Sequence, residues 1–115
     1  MASDVCGLSN FNRVETYRRA ELFVMLIGTG ATRSRYELTA HDTQTRMLLF
    51  DLQIEASLDA LIARGHQAGA SPDDLAIATA LACARRILDA LAYQQTTHFR
   101  LNIEPQGEIL DPAFA

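Results

Sequence analysis

Three histidines, two cysteines and a scatter of acids are the residues of this chain with the widest chemical range, and their spacing limits what they can do. His41, His66 and His98 lie far apart, and no pair has the i and i+4 separation that puts two metal ligands on one helix face. A metal or acid–base cluster would have to be assembled in space from His41, Asp42 and His98. One adjacent pair, His41-Asp42, carries little specificity, so Asp42 reads better as a helix cap beside a solvated histidine. His66 reads as an exposed loop residue. Asp51, Glu55 and Asp59 recur every four residues, on one face of a helix, but without the histidine a metal-binding helix wants; they are expected to face solvent.

Nucleophilic and phosphate chemistry fare no better. No serine sits in a Gly-x-Ser-x-Gly turn, and Cys83, inside an alanine-rich stretch, reads as a small core residue. Cys6 and Cys83 make no disulfide framework. Gly28-Thr29-Gly30 follows an apolar run, as a phosphate-cradling loop does, but Arg33 stands where a dinucleotide fingerprint needs its third glycine, so a turn is expected. All ten basic side chains are arginine, and without lysine neither Schiff-base chemistry nor a phosphate-loop lysine is available. No catalytic, cofactor-binding or metal-ligating residue is assigned, and no cofactor is expected.

The elements that would position these residues begin with one clear helix start. Ser71-Pro72-Asp73-Asp74 combines a capping serine, a proline at the first helical position and two carboxylates at the positive end of the dipole. From there Ile77, Leu81, Ala84, Leu88 and Leu91 form one stripe, predicting a helix over 72–94 that is packed on one side, with Arg85 and Asp89 spaced for an ion pair. The preceding segment fits two periods. As a helix over 43–65 it places Met47, Phe50, Ile54, Leu58 and Leu61 on one stripe, with Gly65 to end it. As a strand, Leu48, Phe50, Leu52 and Ile54 alternate with Leu49, Asp51, Gln53 and Glu55. The length of the run, free of glycine and proline from Thr43 to Arg64, favours the helix. Leu48, Leu49 and Leu52 then lie away from the main stripe and need cover.

Ala20 to Ile27 is an apolar run broken only by Glu21, Gly28-Thr29-Gly30 can turn, and Tyr36, Leu38 and Ala40 alternate with Arg35, Glu37 and Thr39, which predicts a hairpin near 18–40. Phe99, Leu101 and Ile103 alternate with His98, Arg100 and Asn102, predicting a strand over 97–103 stopped by Pro105. The expected fold is α+β: a small antiparallel sheet packed on an antiparallel helical pair, within a single domain 1–115 whose ends, 1–12 and 106–115, are flexible. The alternative is an all-α bundle, because Val14, Tyr17, Glu21 and Val24 also fit a helical period. Over about a fifth of the chain, Ala84-Arg85-Arg86 followed by Phe99-Arg100-Leu101-Asn102-Ile103-Glu104-Pro105 is similar to the late helix and Leu-Asn-Leu-Ala-Pro segment of SecB-type export chaperones. The N-terminal part lacks that family's longer run of strands, and the fold is read without the resemblance.

The composition narrows the function classes. A net charge of −4 opposes a phosphate-binding surface, although Arg13, Arg18, Arg19, Arg33 and Arg35 keep a nucleic-acid-binding regulator as a third reading. These arginines are expected to pair within the chain with tail acids such as Glu104, Glu108 and Asp111. The longest apolar run, Leu22 to Ile27, is far shorter than a membrane span, and the start lacks a secretory pattern, so a cytoplasmic protein is expected. The first reading is a non-catalytic protein–protein interaction protein, an adaptor, regulator or chaperone-like factor. It would form a homodimer through apolar surface at Leu48, Leu49, Leu52, Ile77, Leu81 and Leu88, and engage an unidentified protein partner. The second is a small-molecule-binding or small enzymatic domain with a pocket between sheet and helices, lined by Phe23, Tyr36, Phe50 and Phe99 and polarised by His41 or His98.

Overall fold

The computed structural model describes residues 11–90 and 96–112, with side chains from residue 15 onward. Four strands come first: β1 (Phe11–Tyr17), β2 (Ala20–Thr29), β3 (Arg33–Asp42) and β4 (Leu48–Ser57). Two helices follow, α1 (Leu58–Ala68) and α2 (Pro72–Ala90), and the chain closes with β5 (His98–Glu104) and β6 (Gly107–Pro112). The strands form one six-stranded sheet in the order β1-β2-β3-β4-β5-β6. β1 to β4 are an antiparallel meander; the helices carry the chain over to β5, which runs parallel to β4, and β6 returns antiparallel. The fold is therefore α+β, with a sheet that is larger than expected and mixed in direction. The all-α alternative is not supported.

The principal correction lies at 43–65, where a strand and a short helix replace the expected long helix. The alternation in Leu48 to Glu55 was the operative signal: Phe50, Leu52, Ile54 and Ala56 are buried on one face of β4. The helical stripe fitted because Phe50 and Ile54 are both inward strand positions, while Leu58 and Leu61 belong to α1. Neither glycine nor proline separates the two elements, because Ser57 does so by capping, its Oγ accepting the Ala60 N–H at 3.3 Å. Gly65 does not end the helix. Gly69 does, at φ 70°, with Ala70 N–H donating to the Gly65 carbonyl at 2.8 Å and Gly69 N–H to that of His66 at 3.4 Å. Gly65 is needed for another reason: a Cβ there would lie 2.6 Å from the Ala70 carbonyl oxygen.

The predicted cap of the second helix is present, with the Asp74 N–H donating to Ser71 Oγ at 3.1 Å and Pro72 opening the helix. Residues 91–94, including Leu91 of the predicted stripe, lie outside the described residues. The predicted hairpin and the strand near 97–103 are both found, as β2–β3 and β5. Two further strands occupy segments read as flexible ends or as helix. β1 takes in residues 11 and 12, and Gly107–Pro112 pairs along β5 after a two-residue turn at Pro105 and Gln106. In that short strand only Leu110 packs against the core, too little periodicity to stand out in the sequence.

Both helices pack on one face of the sheet. Ala20, Leu22 and Val24 of β2, Tyr36, Leu38 and Ala40 of β3, the inward residues of β4, and Phe99, Leu101 and Ile103 of β5 meet Leu61 of α1 and Ala76, Ala80, Leu81, Cys83, Ala84, Ile87 and Leu88 of α2 in one core. Ala76, Ala80, Cys83 and Ala84 of α2 are small, and all four are buried against the sheet. Tyr36 ties the layers together, its hydroxyl donating to Asp73 Oδ1 at 2.5 Å. No helix of the described residues is long and apolar enough to cross a membrane.

Candidate interaction surface

Because side chains alternate along a strand, every residue between the core positions of β2 to β5 points to the face that neither helix covers. The strand register sets them in rows: Glu21, His41 and Leu48; Phe23, Thr39, Asp51 and His98; Met25, Glu37, Gln53 and Arg100, with Asp111 at the end; and Arg35, Glu55 and Asn102, with Ile109. Two bulges shape the surface. One, between Leu26 and Gly28, inserts Ile27 into the edge of the face; the other, between Ala40 and His41, turns Leu49 toward the core and leaves Leu48 on the uncovered side. Met25, Ile27 and Leu48 are 42%, 49% and 46% exposed, a large fraction for apolar side chains on strands with a neighbour on each side.

The acids that β2 to β4 place on this face have partners within the chain. Gln53 Nε2 donates to Glu37 Oε2 at 2.7 Å, His98 Nδ1 meets Asp51 Oδ2 at 2.8 Å, and Arg33 Nε lies 3.5 Å from Glu55. Glu21 has Arg46 at 3.8 Å. Arg35 and Arg100, by contrast, have no carboxylate within ion-pair distance among the described residues. They flank a depression of about 490 Å³ whose other lining side chains include Ile27, Gln53, Glu55 and Asn102. The depression is open and polar, and no nucleophile–base pair converges on it. Among the described residues, no group of three or more His, Cys, Asp and Glu side chains is placed to hold a metal ion.

The histidines have structural surroundings. His41 stacks edge-on against Phe23, ring centres 5.6 Å apart, and its Nδ1 lies 3.4 Å from the Arg46 carbonyl oxygen. Asp42 caps no helix. It ends β3, and its Oδ1 accepts the N–H groups of Gln44 at 2.8 Å and Thr45 at 3.0 Å, backbone bonds that hold its carboxyl below the usual range. Asp51 and Glu55 lie on the uncovered sheet face and Asp59 in the first turn of α1, so the expected helical stripe of acids is divided between two elements.

The other expected sites fall on both sides of the sheet. Of the pocket residues, Tyr36, Phe50 and Phe99 are buried in the core, Phe50 and Phe99 packed edge to face at 5.7 Å, while His41 and His98 face away. They do not converge. Of the residues expected to drive association, Leu52, Leu81 and Leu88 are buried in the chain's own core, Leu49 and Ile77 pack against it, and Leu48 alone is exposed. Cys83 is buried as expected, with Arg86 donating to its sulfur at 3.0 Å; burial raises the thiol's pKa and the neighbouring guanidinium partly opposes this.

The arginines pair mostly within the chain. Arg33 reaches Glu104 at 2.6 Å and lowers its pKa, Arg18 meets Asp89 at 2.6 Å and does the same there, and Arg64 lies 3.0 Å from Glu108. Arg85 pairs with Glu15 at 2.5 Å and not with Asp89 four residues on, because Asp89 is taken by Arg18 and by the Tyr17 hydroxyl at 3.0 Å. The side chain of Arg13 lies outside those described. Met25, Ile27, Arg100 and Ile109 were missed as surface residues of interest. The available signal was the unbroken apolar run of β2, since a strand apolar on both faces must expose half its residues if only one face is covered. Comparison with family models, with curated proteins and with solved structures found no match.

Proposed function

We propose that the chain is a non-catalytic protein–protein interaction protein, of the adaptor, regulator or chaperone-like kind, whose contact surface is the uncovered face of its sheet. One observation carries this reading: Met25, Ile27 and Leu48 stand about half exposed on the face that neither helix covers. The helical stripe that might have served is consumed in the core. The partner that fits is an extended segment of another protein with apolar side chains at every second position, matching the spacing of Phe23 and Met25, and with acidic groups for Arg35 and Arg100.

The test compares two variants of the full chain as baits in lysate capture, Met25→Glu with Leu48→Glu on the sheet face and Ile62→Glu on the outer side of α1, where Ile62 is 55% exposed. Circular dichroism first establishes that both are folded. Proteins captured by wild type and by the Ile62 variant but lost from the sheet-face variant support the reading. Retention by the sheet-face variant overturns it.

A further inference from the structure

The two edges of the sheet differ. β1 is interrupted by a register shift between Phe11 and Arg13, an irregularity that blunts an edge, whereas β6 pairs with β5 over all six residues without one. Ile109 is 50% exposed on β6, and the one charge of the strand on the helix side, Glu108, is paired there with Arg64 at 3.0 Å. The backbone direction along this edge follows from one bond. Asp51 N–H donates to the Thr97 carbonyl at 2.8 Å, so residues 97, 99, 101 and 103 direct their backbone groups toward β4 and residues 98, 100, 102 and 104 toward β6. Their β6 partners Gly107, Ile109 and Asp111 use their backbone groups on β5. Glu108 and Leu110 are left presenting N–H and C=O outward, and Pro112, next in the series, has no N–H to offer.

We propose that β6 pairs antiparallel with β6 of a second copy of this chain, joining two six-stranded sheets into one continuous sheet. Side chains directly opposite each other must lie on the same face, so only self-pairings that keep this parity are allowed. Centring the pair on Ile109 sets Glu108 opposite Leu110 of the second copy and uses all the outward groups of both residues. Centring it on Leu110 would set Glu108 against Pro112 and waste bonds on the missing N–H. The Ile109 register also places Ile109 against Ile109 on the uncovered face and brings no two carboxylates opposite each other. On the helix side the arriving Glu108 and Leu110 lie at the mouth of a groove of about 470 Å³ between α2 and β6, lined by Ile87, Phe99, Leu110 and Pro112, with exposed Arg86 and the chain's own Glu108 and Asp111 also in its lining. A second copy therefore offers an apolar residue, Leu110, to the groove.

This inference rests on the interaction reading and extends it, since the joined sheet doubles the uncovered face. It is tested on the full chain in a Cys6→Ser background by mild oxidation and by sedimentation at tens of micromolar. Opposite residues of a pair that is not hydrogen-bonded lie about 4.5 Å apart at Cα, within disulfide reach, so Ile109→Cys should cross-link into dimers while Asp111→Cys, facing Gly107, should not. Glu108→Pro removes an outward donor without touching the β5–β6 ladder and should weaken dimerisation at least ~10-fold. Glu108→Ala, which loses only the contact to Arg64, should not. A wild-type monomer at these concentrations, or a dimer indifferent to Glu108→Pro whose Ile109→Cys variant links no better than Asp111→Cys, overturns the inference. Either result leaves the capture comparison of the sheet-face variants to decide the interaction reading separately.

Discussion

The two faces of the sheet are made from the same four central strands and differ only in which alternate residues they present. On the covered face, Tyr36, Leu38 and Ala40 of β3, Phe50, Leu52, Ile54 and Ala56 of β4, and Phe99, Leu101 and Ile103 of β5 are apolar and buried under α1 and α2. On the other, charged and amide side chains are hydrogen-bonded in pairs across the strands, with apolar residues concentrated on β2 and at Leu48. One face is a core already completed by this chain. The other is a surface whose polar groups largely satisfy one another and whose apolar groups remain half exposed, and that contrast is what supports the proposed contact surface.

The comparison breaks most visibly in neighbouring residues of β4. Phe50→Ala should cost about 3–5 kcal/mol of unfolding free energy, because it empties a fully enclosed site, while Leu48→Ala, two residues away on the uncovered side, should cost less than about 0.5 kcal/mol. Urea denaturation of both variants measures the difference directly, and equal losses would mean that Leu48 is not a surface residue. Gly65→Ala should cost about 1–3 kcal/mol in the same experiment, since the added methyl meets the Ala70 carbonyl and not a yielding side chain.

A smaller effect is expected where the covered face is tied to α2. Burial and the Asp73 carboxylate both push the Tyr36 pKa well above its ordinary value near 10. The unfolded chain therefore releases this proton first as pH rises, and the stability it contributes is complete below about pH 10 and lost above it. Tyr36→Phe should cost about 1–2 kcal/mol at neutral pH and flatten the alkaline limb of a pH–stability profile. The smallest effect belongs to the exposed turn between β3 and β4. Asp42, held below the usual carboxylate range by the Gln44 and Thr45 amides, contributes stability above pH ~4 that is lost as pH falls through its lowered value. Asp42→Asn should make the acid limb shallower in thermal melts between pH 5 and pH 2, to a measurable but slight degree.

How much of this was legible depended on whether an element's own residues carried its punctuation. Ser71 and Pro72 announced α2, and the alternation in residues 35–40 and 98–103 announced β3 and β5, because each signal is local. The boundary at Ser57 was hidden, since a serine cap inside a run rich in leucine and alanine looks like helix interior until the strand before it finds its neighbours β3 and β5. β1 and β6 were hidden for the complementary reason that edge strands bury little and owe their order to pairing. The proposed contact surface was the least legible part. Which half of the apolar residues of β2 faces outward depends on which side receives the helices, and no local pattern records that.

The most direct test is hydroxyl-radical footprinting of the full chain, alone and in the complexes it forms. The account predicts that Met25 and Leu48 lose reactivity on complex formation while Ile62, on the outer side of α1, keeps it. Protection of Ile62 with Met25 and Leu48 unchanged would contradict it and move the contact surface to the helical side.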